Sequence, residues 1–195
     1  MPRWIFEPGH TGAEFRARHM MVSWVRGHFK DVHGSLEFDP DQPAQLAVQT
    51  TIQAAKLWTG EPQRDDHLRS PDFLDVTNHP TITFQSTGSK CVGANDYEVT
   101  GELTIRGTAR PVVMTMHYLG KWPTPYWTDA GDRGPVTRVG FVGETRINRH
   151  DFKVSWNGAL TNNGVVVSDE VFIKVDVEAL LETELNRALQ GPTAP

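Results

Sequence analysis

The sequence has little of what covalent or metal-binding sites require. Cys91 is the only cysteine among the 195 residues, which excludes an internal disulfide and a cysteine-based zinc cluster. No stretch approaches the ~18–20 consecutive apolar residues of a membrane-spanning helix. Residues 1–8 show neither the apolar run nor the small-residue cleavage site of a secretory leader. We therefore expect a cytoplasmic protein that is not embedded in a membrane.

Positive charge is also scarce. The 19 Lys and Arg residues are outnumbered by 24 Asp and Glu residues, which gives a net charge of -5. Such a chain lacks the basic field that holds a phosphate backbone, so we expect no nucleic acid partner.

The familiar catalytic motifs are missing as well. There is no nucleophile elbow, no phosphate-binding loop and no dinucleotide fingerprint. The 8 histidines are dispersed, and none shows the spacing of a zinc site. His67 has Asp65 and Asp66 nearby, but Arg64 and Arg69 disfavour a cation there. We predict no catalytic residue, no metal and no cofactor.

What the sequence does have is alternation with a period of two, which is typical of strands with one wet and one apolar face. The clearest runs lie at residues 14–18, 46–54, 81–85, 97–106 and 170–178. Turn-forming residues separate them, as at 39–41, 93–96 and 161–164. Eight to ten short strands at hairpin spacing predict an all-β barrel or sandwich. One apolar face per strand favours a sheet closed on itself.

Three segments depart from this alternation. Residues 63–70 follow Pro62 and contain helix formers, so they predict one or two helical turns laid over the barrel. Residues 120–135 are rich in Pro, Gly and Trp and predict a loop. Residues 178–190 predict a short helix with Leu181, Leu185 and Leu189 on one side. We divide the chain into a β-barrel domain over 1–180 and a tail over 181–195, whose last five residues we expect to be disordered.

Several blocks occur in one order along the chain. They are residues 10–11 (HT), 14–21 (EFRARHMM), 25–29 (VRGHF), 64–75 (RDDHLRSPDFLD), 79–87 (HPTITFQST), 100–112 (TGELTIRGTARPV), 147–152 (INRHDF) and 175–179 (VDVEA). Together they resemble the YceI-like family of polyisoprenoid-binding proteins. Residues 122–127 match no block of that family, and the chain after residue 180 lies outside the resemblance.

The resemblance implies an extended antiparallel eight-stranded lipocalin-like barrel whose pore holds one isoprenoid or quinone-type lipid. Many relatives are exported, whereas the residues here indicate no leader. On this basis we predict a small-molecule lipid ligand and no enzyme activity. Edge strands or the leucine stripe at 181–189 could support a homodimer.

The candidate lining residues lie on the apolar faces of the predicted strands. They are Phe15, Ala17, Phe84, Leu103, Met114, Met116, Phe141 and Phe152, with Trp156 as a packing or lining residue. Methionine suits a flexible ligand because its thioether is adaptable. Pattern alone leaves a dry, filled core as an equal alternative, and the resemblance favours a ligand.

Polar candidates are ambiguous in the same way. His19 follows Phe15 and Ala17 in register, so it is either a core histidine bonded to backbone or a contact to a head group. Residues 64–69 form either a solvated helix face or a site in which Leu68 and Phe73 meet the pore while His67 and Arg69 approach a head group. Asn148 and Arg149 begin either an Asn-stabilised turn or a polar rim.

Two other functions stay open. One is a structural module with a filled core. The other is a lipid-modifying enzyme with His19 or His67 as base, although no second acid or nucleophile accompanies either residue.

Overall fold

The computed structural model describes residues 1–129, 131–158, 160 and 164–190. Its strands are β1 Arg3–Phe6, β2 Gly12–His19, β3 Ser23–Phe29, β4 Val32–Phe38, β5 Leu46–Gln53, β6 Leu57–Trp58, β7 Thr81–Cys91, β8 Asp96–Ile105, β9 Thr108–Thr128, β10 Gly131–Asn148 and β11 Val167–Leu181. Its α-helices are α1 Pro62–Arg69 and α2 Glu182–Gln190, and two 3-10 turns cover Ala54–Lys56 and Arg149–Phe152. Within these residues no helix is long and apolar enough to cross a bilayer.

The strands close into an antiparallel barrel with eight positions around its circumference. Neighbours run from β1 through β4, β5, β7, β8, β9 and β10 to β11, and β11 pairs back with β1. Strand β2 continues along β11 beyond β1, and β3 and β6 extend the same sheet. The predicted eight-stranded barrel is therefore confirmed.

One side of the wall is built from interrupted strands. β1 and β2 lie one after the other along the same edge of β11. β1 pairs with residues 179–181 of β11, and β2 pairs with residues 167–176. β3 and β4 are separated at Asp31, which adopts a left-handed backbone with φ of 64°, and the 3-10 turn Ala54–Lys56 separates β5 from β6. Strands β9, β10 and β11 have 21, 18 and 15 residues and form the continuous side.

One half of the barrel is filled with rings and is called the packed half below. The ring of Phe38 lies 5.8 Å from Tyr97, 5.0 Å from Tyr118 and 5.1 Å from Phe141. Trp4 closes the cluster and donates its indole N–H to the carbonyl oxygen of Phe38 at 2.8 Å. Aromatic residues from four strands and the β1 segment thus fill the cross-section.

The prediction of a loop at 120–135 was wrong, because this segment forms the outer part of the β9–β10 hairpin. Pro125 lies opposite Pro135 in its ladder. Each strand of the hairpin has only one neighbour here and therefore one open edge. A proline can be accommodated because its missing N–H falls on that open edge, where no ladder hydrogen bond is lost. Gly120 has φ of 137°, and a Cβ there would collide with the indole of Trp122. The three prolines of this segment and a glycine with positive φ therefore fit a two-stranded ribbon.

The C-terminal helix is shorter than predicted. Strand β11 runs to Leu181, so the helix begins at Glu182 and not at residue 178. Leu185 packs with Val136 and Leu180 on the outside of the barrel, while Leu189 is exposed. The four-residue spacing of the leucines crosses a strand–helix junction and is not one helical stripe. Residues 191–195 and most of the predicted turn at 161–164 lie outside the described residues.

Helix α1 confirms the helix predicted after Pro62. Glu61 caps it, because its carboxylate accepts hydrogen bonds from the backbone N–H of Gln63 at 3.2 Å and of Arg64 at 2.6 Å. The buried Asp65 accepts from the backbone N–H and the hydroxyl of Thr59 at 2.9 and 2.5 Å. These bonds hold the helix against the end of the barrel opposite the packed half.

Candidate functional site

The other half of the barrel, called the hollow half below, encloses a cavity of about 190 Å³. Residues of all eleven strands contribute to its wall, and α1 with the segment after it covers one end. The lining is overwhelmingly aliphatic and aromatic. Such a surface excludes water and favours an apolar occupant.

The structure brings ten of the predicted site residues together around this cavity. They are Phe15, Ala17, Leu68, Phe73, Phe84, Leu103, Met114, Met116, Arg149 and Phe152. Most belong to alternating runs, so the period of two that predicted the strands also predicted the inner face.

Other lining residues escaped the prediction. Ile82, Val171, Ile173, Val175 and Val177 all line the cavity. Their signal was present, because each lies on the apolar face of an alternating run. The β-branched side chains of β11 in particular form much of the wall.

Two predicted lining residues lie elsewhere. Phe141 is fully buried in the packed half, against Phe38 and Tyr118. Trp156 packs outside the cavity wall, with its ring 5.3 Å from Phe73 and 4.8 Å from His67. Phe141 lies inside the barrel and Trp156 beside the cover of the cavity, but neither residue lines the cavity.

The polar residues of the α1 region face away from the cavity. His67 lies 2.9 Å from the carboxylate of Asp72 and packs edge-on against Phe73. Arg69 donates to the carbonyl oxygens of Ala55, at 3.0 Å, and Leu57. Arg69 therefore attaches α1 to the barrel near β6, and His67 holds α1 to the segment that follows it.

The two remaining polar candidates lie at strand ends. His19 is half-buried at the end of β2, opposite Val167, and does not line the cavity. Asn148 precedes the 3-10 turn Arg149–Phe152 and accepts from the backbone N–H of His150 at 3.0 Å. Of the alternatives for Asn148, the side-chain-stabilised turn is the one observed.

Glycines beneath the lining side chains keep the cavity hollow. The ring of Phe15 lies where a Cβ of Gly27 would stand, and the ring of Phe84 lies over Gly101 in the same way. Met116 Sδ would be only 2.5 Å from a Cβ at Gly143. Bulky side chains thus lie flat against bare backbone and leave the centre empty.

Arg149 is the cation of the cavity wall and is 3% exposed. Its guanidinium donates to the carbonyl oxygens of Val154 at 2.7 Å, Trp156 at 2.8 Å, Ser168 at 2.9 Å and Val167 at 3.3 Å. Burial lowers the pKa of this guanidinium, and the nearby carboxylate of Asp169 opposes that effect only in part. Arg149 therefore ties residues 154–156 to the start of β11 and presents a cation beside the apolar space.

A polar cluster lies outside the cavity, where β1 gives way to β2. The ligand atoms of Glu7, His10 and Glu178 lie within 4.8 Å of one another. Arg138 occupies the same place, at 2.7 Å from Glu178 and 3.2 Å from Glu7. A guanidinium between both carboxylates satisfies them and disfavours a metal cation. This cluster could not be predicted from the sequence because its acids lie 171 positions apart.

The pKa values of the two carboxyl groups of this cluster are shifted in opposite directions. Burial raises the pKa of Glu178, and its hydrogen bond with Glu7 adds to that rise. Burial also acts to raise the pKa of Glu7, but hydrogen bonds from Glu178, Arg138 and His10 outweigh it and hold that pKa below the ordinary value. The pair therefore favours a proton on Glu178 and a charge on Glu7.

Comparison with known proteins places the chain in a family. A YceI-like domain model matches residues 4–179. The chain belongs to the YceI-like family. One YceI-like relative, Protein YceI of Shigella flexneri, is 35% identical over 174 residues, which is 89% of this chain and 83% of the relative.

Solved structures of YceI-like proteins share the barrel. The BcnA structure from Burkholderia cenocepacia superposes with a TM-score of 0.71 at 28% identity, over 89% of this chain and 98% of that one. A polyisoprenoid binding domain from Saccharophagus degradans, implicated in plant cell wall breakdown, gives a TM-score of 0.65 at 11% identity, over 93% of this chain and 99% of that one. At that identity the second likeness concerns the fold alone.

Proposed function

We propose that the protein binds and carries one long, slim isoprenoid-type lipid in the cavity of its hollow half. The observation that carries the proposal is the cavity itself, an enclosed space lined by apolar side chains from strands all around the barrel. A barrel of eight strands has an interior just wide enough for side chains or one slim ligand. Here the glycines under Phe15 and Phe84 leave that width to a ligand.

The energetics allow tight binding. Burial of an apolar chain is worth ~0.8 kcal/mol per CH2 group, so a tail of roughly forty carbons would sum to ~30 kcal/mol. That exceeds the ceiling of about 18–21 kcal/mol for non-covalent complexes. Chain ordering and incomplete burial must therefore cancel a large part of it. We expect the remainder to keep a lipid bound through purification.

The lining suits a branched chain. Met114 and Met116 are flexible and adapt to irregular shapes, and the β-branched residues of β11 offer a ridged surface to the methyl branches of an isoprenoid. The Saccharophagus domain is described as polyisoprenoid-binding, and its shared fold supports this ligand class. Arg149 would lie beside a polar or quinone head group.

A carrier fits the site better than an enzyme does. Among the described lining residues, the ionisable side chains are Glu14 and Arg149. Glu14 pairs with His28 at 3.3 Å, and Arg149 is committed to backbone carbonyls. Neither is placed as a base beside a nucleophile, which is the arrangement that acid–base or covalent catalysis requires. A purely structural module would have a filled core, whereas this core is hollow.

The test is extraction of the purified protein with organic solvent, followed by mass spectrometry. Protein prepared without detergent should release an amphiphile with a long apolar chain. Extracts that are empty from several expression hosts would contradict the proposal.

A pair of variants places the lipid in the cavity. Ala17→Trp fills part of the cavity and should lower the lipid recovered per mole of protein several-fold. Val113→Trp adds the same indole at an exposed position of β9 and should leave recovery unchanged. Normal recovery from Ala17→Trp would show that the lipid lies elsewhere.

A further inference from the structure

The turn between β2 and β3 presents three apolar side chains to solvent. Met20, Met21 and Val22 are 44%, 55% and 81% exposed. The turn lies beside the start of β11, because the backbone N–H of Met20 donates to the carbonyl oxygen of Val166 at 2.9 Å. The next residue, Val167, lines the cavity. The apolar turn therefore projects from the hollow half of the barrel.

The backbone of this turn is unfavourable for the residues it carries. Met20 and Met21 have φ of 48° and 61°, and the N–H of Val22 donates to the carbonyl oxygen of His19 at 3.1 Å. Both central residues of this β-turn are left-handed, for which Asn-Gly is preferred, and Val22 is a third connecting residue because His19 lies opposite Ser23 in the ladder. A long side chain at such a position costs conformational energy, and such positions cluster at functional sites. Two methionines are thus displayed at a cost to the fold.

Behind the turn lies a cationic face. Arg16 and Arg18 of β2 and Arg26 of β3 point outward, and Arg16 is paired directly with Arg26 across the two strands. Like charges at such a position destabilise a sheet. Arg16 and Arg18 lie over the ring of Trp24, at 5.1 and 4.5 Å from its centroid. The face therefore holds its guanidinium groups in fixed positions.

These arginines have no ion-pair partner among the residues the structure describes. The acids on the same face are paired with other groups. Glu14 pairs with His28 at 3.3 Å, Asp169 with His150 at 2.8 Å and Glu170 with Arg146 at 3.2 Å. Glu170 is neutralised by Arg146, whereas Glu14 and Asp169 contact histidines that carry a charge only when protonated. The face therefore keeps a small excess of positive charge in a chain of net charge -5.

We propose that the β2–β3 turn and the cationic face behind it dock the protein on a bilayer that contains anionic phospholipids. Apolar side chains at the tip enter the interface while arginines behind them meet head-group phosphates, which is the arrangement of peripheral membrane anchors. A turn of three side chains is too small for a specific protein interface, which needs ~800 Å² on each partner. A membrane needs no such matched surface.

Docking places the hollow half of the barrel at the lipid source. The transfer of a lipid between membrane and cavity rests on the proposed function, whereas the docking itself does not. Lipid extraction and vesicle binding therefore fail independently. A protein that carries lipid but ignores vesicles would overturn the docking alone, and an empty protein that binds vesicles would overturn the carrier alone.

The first test is flotation with vesicles of phosphatidylcholine, with and without phosphatidylglycerol. The full chain should float with the anionic vesicles, less with phosphatidylcholine alone, and less again at high salt because screening weakens the arginine contacts. Absence of flotation with anionic vesicles at low salt would overturn the proposal. So would dimerisation of the protein through this turn, detected by sedimentation, without vesicle binding.

Two sets of variants test the two parts of the surface. Met20→Asn with Met21→Gly supplies the preferred turn sequence, so the melting temperature should stay the same or rise while vesicle binding falls about tenfold or more. Arg16→Gln, Arg18→Gln and Arg26→Gln together should lower binding on the order of a hundredfold, since each arginine near an anionic surface is worth a factor of about five. Unchanged binding in either variant would overturn the proposal.

A matched control separates local from total charge. Lys90→Gln, Lys121→Gln and Arg187→Gln change the net charge by the same amount on strands and a helix around the packed half. Their combination should keep most of the vesicle binding. A loss equal to that of the arginine variant would show that net charge alone drives the association and would overturn a specific docking face.

Discussion

The packed and hollow halves of the barrel share strands β8, β9 and β10 and the same alternation, yet one is full and the other empty. In the packed half, rings point across the axis and meet one another, as Phe38 meets Tyr97 and Phe141. In the hollow half, Phe15 and Phe84 fold back over Gly27 and Gly101. Alternation thus decides which residues face inward, and the placement of glycine decides whether those residues fill the space.

The largest expected difference concerns the removal of a ring from each half. Phe38→Ala should destabilise the delipidated protein by about 3–5 kcal/mol, because it opens a void among close-packed rings. Phe84→Ala should cost only about 2 kcal/mol, since one side of its ring already faces empty space. Urea unfolding of both variants measures the difference. Equal losses would mean that the hollow half is packed as tightly as the other.

The addition of a ring gives the converse comparison. Ala179 is fully buried in the core, and Ala17 lines the cavity. Ala179→Trp should cost at least about 1–3 kcal/mol through overpacking, while Ala17→Trp should cost little in the delipidated protein. Melting curves of the two variants decide it. A clear destabilisation by Ala17→Trp would argue against an open cavity at that position.

The packed half carries one polar atom that a smaller change can probe. The hydroxyl of Tyr97 is buried without a hydrogen-bond partner among the described residues, and burial raises the pKa of this phenol. Tyr97→Phe removes the unsatisfied group and should stabilise the protein by about 1 kcal/mol. Tyr118→Phe, at a half-buried ring, is the control and should change stability less. A loss of stability in Tyr97→Phe would show that the hydroxyl is bonded in solution.

The smallest expected effect lies outside the barrel, in the cluster where β1 gives way to β2. The folded-state pKa of Glu178 is raised, so its contribution to stability is fully present below the unfolded pKa and is lost as the pH rises through the folded value. Glu178→Gln does not titrate. Its melting temperature relative to the wild type should therefore rise between acidic and neutral pH.

The control for that pH series is Glu102→Gln, which removes an exposed carboxylate of β8. Its difference from the wild type should vary less with pH. A difference for Glu178→Gln that falls or stays flat from acidic to neutral pH would contradict the assigned direction of the pKa shift.

The barrel could be predicted from sequence because its signal is local. Alternation in runs such as 97–106 fixes the inner face within each strand, and the predictions of Phe15, Ala17, Phe84 and Leu103 follow from it. The hairpin at 120–135 could not be predicted in this way, since its prolines conflict with a strand until the open edges of the ribbon are known. Phe141 shows a second limit. Alternation places it inside the barrel but does not tell at which height, and only strand register separates the two halves.

The polar residues were harder for a different reason. Arg149 was predicted to lie either in a turn or at a polar rim of the pore. Its four carbonyl partners come from residues 154–156 and 167–168, which only the folded chain brings together. The contacts of Arg69 with Ala55 and Leu57 are equally non-local. A charged residue in a sequence shows that a partner is needed, and tertiary structure determines which one it finds.

The interruptions make the two sides of the barrel wall different, because one side consists of short strands and the other of the long strands β9, β10 and β11. The junctions at residues 7–11 and at Asp31 connect segments that reach the packed half, through Trp4 and Phe38, with segments that line the cavity. The junction at Ala54–Lys56 lies between two segments that both line the cavity. The wall of the hollow half is thus assembled partly from short segments, whereas β9, β10 and β11 extend along both halves. Substitutions that widen or narrow the cavity can therefore be made without changing the rings that fill the packed half.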